Sequence, residues 1–104
     1  MPVTTIEGHD IHVDDEGFMT EFDEWTEDLG AALAAQIGID MTAEHWKAIK
    51  FLRADFPGQG ETATLRRLAT VGNLPTKQLF ALFPKKPAKK LAYIAGLPKP
   101  RGCV

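Results

Sequence analysis

Ile94-Ala95-Gly96-Leu97-Pro98-Lys99-Pro100-Arg101-Gly102-Cys103-Val104 is the stretch on which the fold reading turns. Gly96 marks the end of a helix, because glycine takes the left-handed conformation that closes one. Pro98 and Pro100 hold the chain beyond it in an extended form, and Gly102 is a swivel. The chain therefore divides into a body, residues 1–96, and an extended, mobile C-terminal arm, residues 97–104. Upstream of Gly96, Pro87 suits the first position of a helix that turns Leu91, Ala92, Ile94 and Ala95 inward.

Four more helices are expected. The first runs over Glu24–Gln36, capped by Asp23, with Trp25, Leu29, Ala32, Leu33 and Ile37 at helical spacing. The second opens at the cap Thr42, carries Trp46, Ile49, Leu52 and Phe56 on one side, and stops at Pro57-Gly58. A third spans Ala63–Val71. A fourth, Thr76–Phe83, is apolar nearly all round and is expected to be deeply buried. Before them, Val3, Thr5, Ile11 and Val13 are strand formers around a turn at Glu7-Gly8-His9-Asp10, and Asp14-Asp15-Glu16-Gly17 is a second turn. The expected fold is mainly α: a small bundle of about five helices with an N-terminal β-hairpin.

The 104 residues suit one domain, and the net charge of −2 hides a split. Residues 1–50 hold twelve acids against Lys47 and Lys50, while residues 51–104 hold ten bases against Asp55 and Glu61. The two halves attract each other in the fold, or the basic half offers a face to an acidic partner. The longest uncharged apolar-rich run, Leu29–Ile39, is too short to span a bilayer, and no basic segment precedes an apolar one at the start. No membrane partner and a cytoplasmic location are expected, with a monomer as the default.

Cys103 is the only cysteine, which excludes an internal disulfide and any multi-cysteine metal site. A lone cysteine is more often a small buried hydrophobe. This one sits beyond a proline-stiffened arm, where burial is hard to arrange. Eight extended residues reach roughly 25 Å at about 3.1 Å per residue, far enough to carry a thiol into another protein's active site. Lys99 and Arg101 favour the thiolate, which is the form that takes and passes on a sulfane sulfur.

These residues carry a resemblance. Leu82-Phe83-Pro84-Lys85-Lys86-Pro87-Ala88-Lys89-Lys90, then Ile94-Ala95-Gly96-Leu97-Pro98-Lys99-Pro100 and Gly102-Cys103-Val104, resembles the C-terminal third of the DsrC/TusE family. Asp15-Glu16-Gly17-Phe18 is similar to that family's acidic turn. Thr42-Ala43-Glu44-His45-Trp46 with Phe51-Leu52-Arg53 is similar to its second helix. The resemblance implies a sulfur carrier whose Cys103 accepts persulfide sulfur from a sulfurtransferase donor and delivers it to an acceptor protein. The relay would serve 2-thiolation of tRNA uridine or a dissimilatory sulfite reductase-like complex. It implies a relay protein rather than a free-standing enzyme, with no cofactor beyond the sulfur held covalently on Cys103. Arg66 matches an arginine of the family's third helix. Two departures stand out: the second cysteine of the dissimilatory member is Ala92 here, and Gly72–Gln78 is shorter than the family's basic loop.

Lys85, Lys86, Lys89 and Lys90 form a cluster at a helix start, where they oppose the helix dipole. Either they are simply solvated, or they dock an acidic surface and raise its on-rate. Pro98, Lys99, Pro100, Arg101 and Gly102 complete the expected docking arm. His9 and His12 flank Asp10, but in a hairpin turn they are more simply solvated than metal-bound, so no metal is expected. The reading from another class is a helix-turn-helix DNA-binding regulator, built on the third and fourth helices with Arg66, Arg67 and Lys77. The apolar fourth helix argues against it.

Overall fold

The computed structural model describes residues 3–100. It begins with an antiparallel hairpin, β1 (Val3–Ile6) and β2 (His9–His12), with Ile6 opposite His9. Glu7 and Gly8 fill the two-residue turn at φ 49° and 83°. Two successive positive-φ residues give a turn whose twist matches that of the strands it joins. Ile11 turns inward and is fully buried. Past the hairpin, the Asp14 carboxylate accepts the Glu16 and Phe18 amides at 2.9 and 3.0 Å, closing the second turn as expected.

Five helices come next: α1 (Glu27–Gln36), α2 (Ala43–Gln59), α3 (Leu65–Thr70), α4 (Thr76–Leu82) and α5 (Pro87–Ala95). The mainly α fold with an N-terminal hairpin is the expected one, and its boundaries differ in four places. The first helix is not capped by Asp23. Phe22–Glu24 forms a separate 3-10 turn, and Thr26 caps α1 by accepting the Leu29 amide at 3.1 Å. Pro57 does not stop α2, which continues to Gln59 and closes on left-handed Gly60. Placed in the last turn, proline removes only one of the final backbone bonds. α3 starts late because Thr62 and Ala63 are buried in extended chain and Thr64 is the cap, its hydroxyl accepting the Arg67 amide at 3.2 Å.

The fourth helix is not deeply buried. Only Leu79 within it is buried, and Phe80 is 50% exposed. Phe83, which the expectation placed at its end, is the residue that caps it, its amide bonding the Leu79 carbonyl, and is fully buried. In these two turns Leu79 and the partly buried Leu82 face the core, and Phe80 on the far side has nothing to cover it.

α5 is the element around which the others pack, touching α1, α2 and α4. Pro87 is at its first turn, as expected, and Leu91, Ala92, Ile94 and Ala95 are all fully buried. It ends in a Schellman motif. Gly96 is left-handed at φ 69°, its amide bonds the Tyr93 carbonyl at 3.3 Å, and the Leu97 amide bonds the Ala92 carbonyl at 3.0 Å. A Cβ at position 96 would lie 2.5 Å from the Trp25 ring and 2.9 Å from the Met19 sulfur, so glycine is required by space as well as by φ.

The body therefore does not end at Gly96: Leu97, assigned to the arm from sequence, is fully buried in the main core cluster. Leu97→Ala should lower unfolding free energy by about 2–4 kcal/mol, the usual cost of a buried leucine truncation, measured by urea denaturation.

Candidate functional site: the platform beneath the C-terminal arm

The chain leaving Gly96 is held at three further points. The buried Thr62 hydroxyl donates to the Pro98 carbonyl at 2.7 Å. The Lys99 ammonium meets the Glu16 carboxylate at 3.2 Å, with both side chains partly exposed. Pro100 is buried. Residues 97–100 are thus anchored, and the 25 Å reach expected for an eight-residue arm applies only if those anchors release. From Pro100, three residues span at most about 11 Å to position 103. Arg101, Gly102 and Cys103, all expected in the site, lie outside the described residues.

Below the anchor is a cationic clamp. Trp25 Nε1 donates to the Ile94 carbonyl at 2.8 Å. The Arg53 guanidinium donates to the Ala95 carbonyl at 2.8 Å and to the Phe22 carbonyl at 2.9 Å. It also sits 3.9 Å from the Phe22 ring centre and 4.4 Å from that of Trp25. A cation at a helix C-terminus satisfies orphan carbonyls and complements the dipole, and the aromatic faces replace part of its lost hydration. Burial pulls the Arg53 pKa down from its ordinary value, and the nearby Asp23 charge opposes that fall. The group stays charged regardless.

In the sequence, Arg53 stood out only as part of a motif and carried no role of its own. The signal was there: Arg53 shares a helix face with Ile49 and Phe56, and a cation on an apolar stripe needs a partner.

The lysine cluster divides. Lys85 and Lys86 are exposed and both left-handed, at φ 60° and 50°. Lys89 and Lys90 are half-buried and line an open groove of about 320 Å³ with Glu16, Phe18, Ile37 and Tyr93. The Lys90 ammonium also donates to the Pro84 carbonyl. The groove thus brings Lys89 and Lys90 beside Glu16, the residue that holds Lys99. Phe18 and Tyr93 meet edge to face, 6.3 Å between centres, and burial pushes the Tyr93 hydroxyl pKa up. Arg66, expected at the docking surface, is exposed on α3 and does not line this groove.

Other candidates resolve into structural roles. His45 is buried and completes the cap of α2. Its Nδ1 accepts the Thr42 amide at 3.1 Å and its Nε2 donates to the Leu82 carbonyl at 2.8 Å, which ties α2 to the end of α4. His12 pairs with Glu24, Nδ1 to carboxylate at 2.7 Å, and so locks the hairpin to the 3-10 turn. Arg67 forms a two-pronged bond to Asp55 at 2.8 and 2.7 Å. Among the described residues no group of three metal-ligating side chains occurs, and no helix is long and apolar enough to cross a membrane.

Residues 5–104 match the family described as DsrC like protein. The chain belongs to that family. The sulfurtransferase TusE of Salmonella typhimurium (strain LT2) is 38% identical, with 94% of this chain and 96% of that protein covered. TusE of Escherichia coli K12 is 36% identical over the same shares. The fold matches the oxidized gamma-subunit of the dissimilatory sulfite reductase, DsrC, from Archaeoglobus fulgidus. That match has a TM-score of 0.75 at 35% identity, covering 99% of this chain and 100% of that one. Allochromatium vinosum DsrC matches with a TM-score of 0.79 at 32% identity, covering 98% and 97%.

Relatives of this kind support a sulfur-relay protein and lend no support to the DNA-binding alternative. The structure agrees on the second point. α4 has seven residues with Lys77 as its one cation, and Arg67 is already occupied by Asp55.

Two changes probe the platform. Arg53→Met strands the Phe22 and Ala95 carbonyls and should lower unfolding free energy by about 2–3 kcal/mol in urea denaturation, the range for bonds to a charged donor. Acid sensitivity should come from Glu24 and Asp55. The His12 amide and ring hold the Glu24 carboxyl below the usual range, and the Arg67 guanidinium does the same for Asp55. Depressed carboxyls add stability above their unfolded pKa and lose it as pH falls through the folded value. Glu24→Gln should therefore flatten the stability-versus-pH curve below about pH 4.5, near the ordinary glutamate range.

Proposed function

We propose that this chain is a sulfur carrier in which Cys103 takes a sulfane sulfur from a donor persulfide and hands it to an acceptor thiolate. The observation that carries the reading is the match to TusE sulfurtransferases over nearly the whole chain, taken with a sole cysteine three residues beyond an anchored strap. The Cys103 thiolate attacks the outer sulfur of the donor persulfide. The new S–S bond forms on Cys103, the donor's S–S bond breaks, and the donor departs as a thiolate. Release to the acceptor repeats the exchange. No net oxidation occurs, and no cofactor enters.

The resemblance aligns Ala92 with the second cysteine of the dissimilatory member, and here it is a fully buried methyl on α5. Release by attack from inside the chain is therefore excluded by composition, and the sulfur leaves to a second protein. This favours a one-cysteine relay, of the kind that feeds tRNA thiolation, over chemistry that joins two cysteines of one chain. Lys99 and Arg101 raise the local positive potential around the thiolate, and Lys85, Lys86, Lys89 and Lys90 steer an acidic partner.

Intact mass after incubation with a cysteine desulfurase and cysteine should show about +32 Da on the wild type, one sulfur on the persulfide rung, and none on Cys103→Ser. The same adduct on Cys103→Ser would remove the reading.

A further inference from the structure

The groove beside α5 is open, floored by apolar side chains and rimmed by cations. Its lining is Glu16, Phe18, Ile37, Lys89, Lys90 and Tyr93, around about 320 Å³. Among the described residues, Lys85, Lys86 and Lys89 have no carboxylate partner, and Lys90 bonds only a backbone carbonyl. The one acid on the rim, Glu16, is engaged by Lys99 of the strap. We propose that this groove is the docking site for an acidic, apolar-tipped segment of the relay partner, and that docking loosens the strap. The proposal rests on the sulfur-relay reading and names the surface by which the partner is recognised.

The chemistry selects the occupant. Uncompensated lysines favour a segment carrying carboxylates, and a rim charge of this kind acts on encounter rate and register. Ile37 and the Phe18–Tyr93 pair accept apolar side chains. Phe18 is buried against Tyr93, so it offers no free face for a base to stack on. The Glu16 carboxylate repels phosphate. Both points favour a protein segment over a nucleic acid.

Docking at this place acts on the arm. An incoming carboxylate beside Lys89 and Lys90 competes with Glu16 for Lys99, exchanging one exposed ion pair for another. Exposed pairs contribute little, so the exchange is easy. Once Lys99 leaves Glu16, the Thr62–Pro98 bond and the burial of Pro100 remain as the last anchors beyond Leu97. With the ion pair gone, only those two anchors need open for the strap to add its length to the reach of the chain beyond Pro100.

The test uses the full chain and a synthetic ten-residue peptide alternating glutamate and leucine, followed by amide NMR at low salt. A peptide with glutamine in place of glutamate is the control. The glutamate peptide should shift Phe18, Ile37, Lys89, Lys90, Tyr93 and Lys99, and the glutamine peptide should not. Lys89→Glu with Lys90→Glu should weaken binding by about tenfold or more, as expected for reversing two rim charges. Lys47→Glu with Lys77→Glu, two exposed lysines outside the groove, changes net charge equally and should stay within about twofold.

Equal loss in both double variants, or shifts confined to other residues, would overturn the proposal. So would a uridine-rich RNA hairpin shifting the groove residues where the glutamate peptide does not. Salt-sensitive self-association in sedimentation, abolished by Lys89→Glu with Lys90→Glu, would also overturn it, by making a second copy the occupant. Persulfide loading of wild-type Cys103 from a small-molecule persulfide, measured separately, reports on the relay reading alone. Its failure would leave the peptide result to be judged by itself.

Discussion

Everything at the functional end of this protein depends on how α5 is stopped. A glycine at a left-handed φ, at a place where a Cβ would lie 2.5 Å from Trp25, ends the helix at one residue and no other. Trp25 and Arg53 then take up the Ile94 and Ala95 carbonyls that the termination leaves without partners. Three elements distant in sequence, the 3-10 turn, α2 and α5, are joined through one guanidinium and two aromatic rings. The direction in which the chain leaves the body is set by that junction.

The same junction explains why the arm is shorter than its sequence suggests. Proline at alternate positions reads as an extended, detached tail, because nothing local can hold it. What holds it here is non-local: Thr62 in the middle of the α2–α3 connection and Glu16 in the second turn. Such contacts leave no signature in the arm. Leu97 was the exception, an apolar residue directly after a helix-ending glycine, which is where a Schellman motif places its buried contact.

Helix identity and order were legible from periodicity, caps and glycine stops, and the hairpin from Gly8. Boundaries failed where two caps competed, as with Asp23 against Thr26, or where proline fell in a last turn. The burial of α4 was misread because a run apolar on every side shows no face, and tertiary packing alone chose Leu79 over Phe80. Of the candidate site, Cys103 and the lysine cluster were visible as residue types in unusual places. The grouping of Lys89 and Lys90 with Glu16 and Lys99 was not, since it joins the turn after the hairpin to both ends of the final segment.

The charge split also finds its place. Acids of the first half meet bases of the second at Glu16–Lys99, while Lys85, Lys86 and Lys89 stay unmatched among the described residues. Internal attraction therefore consumes only part of the asymmetry, and the remainder faces outward beside the strap. The central claim is that the base of the arm belongs to the folded body. Amide hydrogen exchange of Leu97 tests it most directly, because that amide bonds the Ala92 carbonyl at 3.0 Å under full burial. The account predicts exchange as slow as that of Ile94 and Ala95 in α5, through opening of the core itself. Exchange at the rate of an unstructured peptide would contradict it.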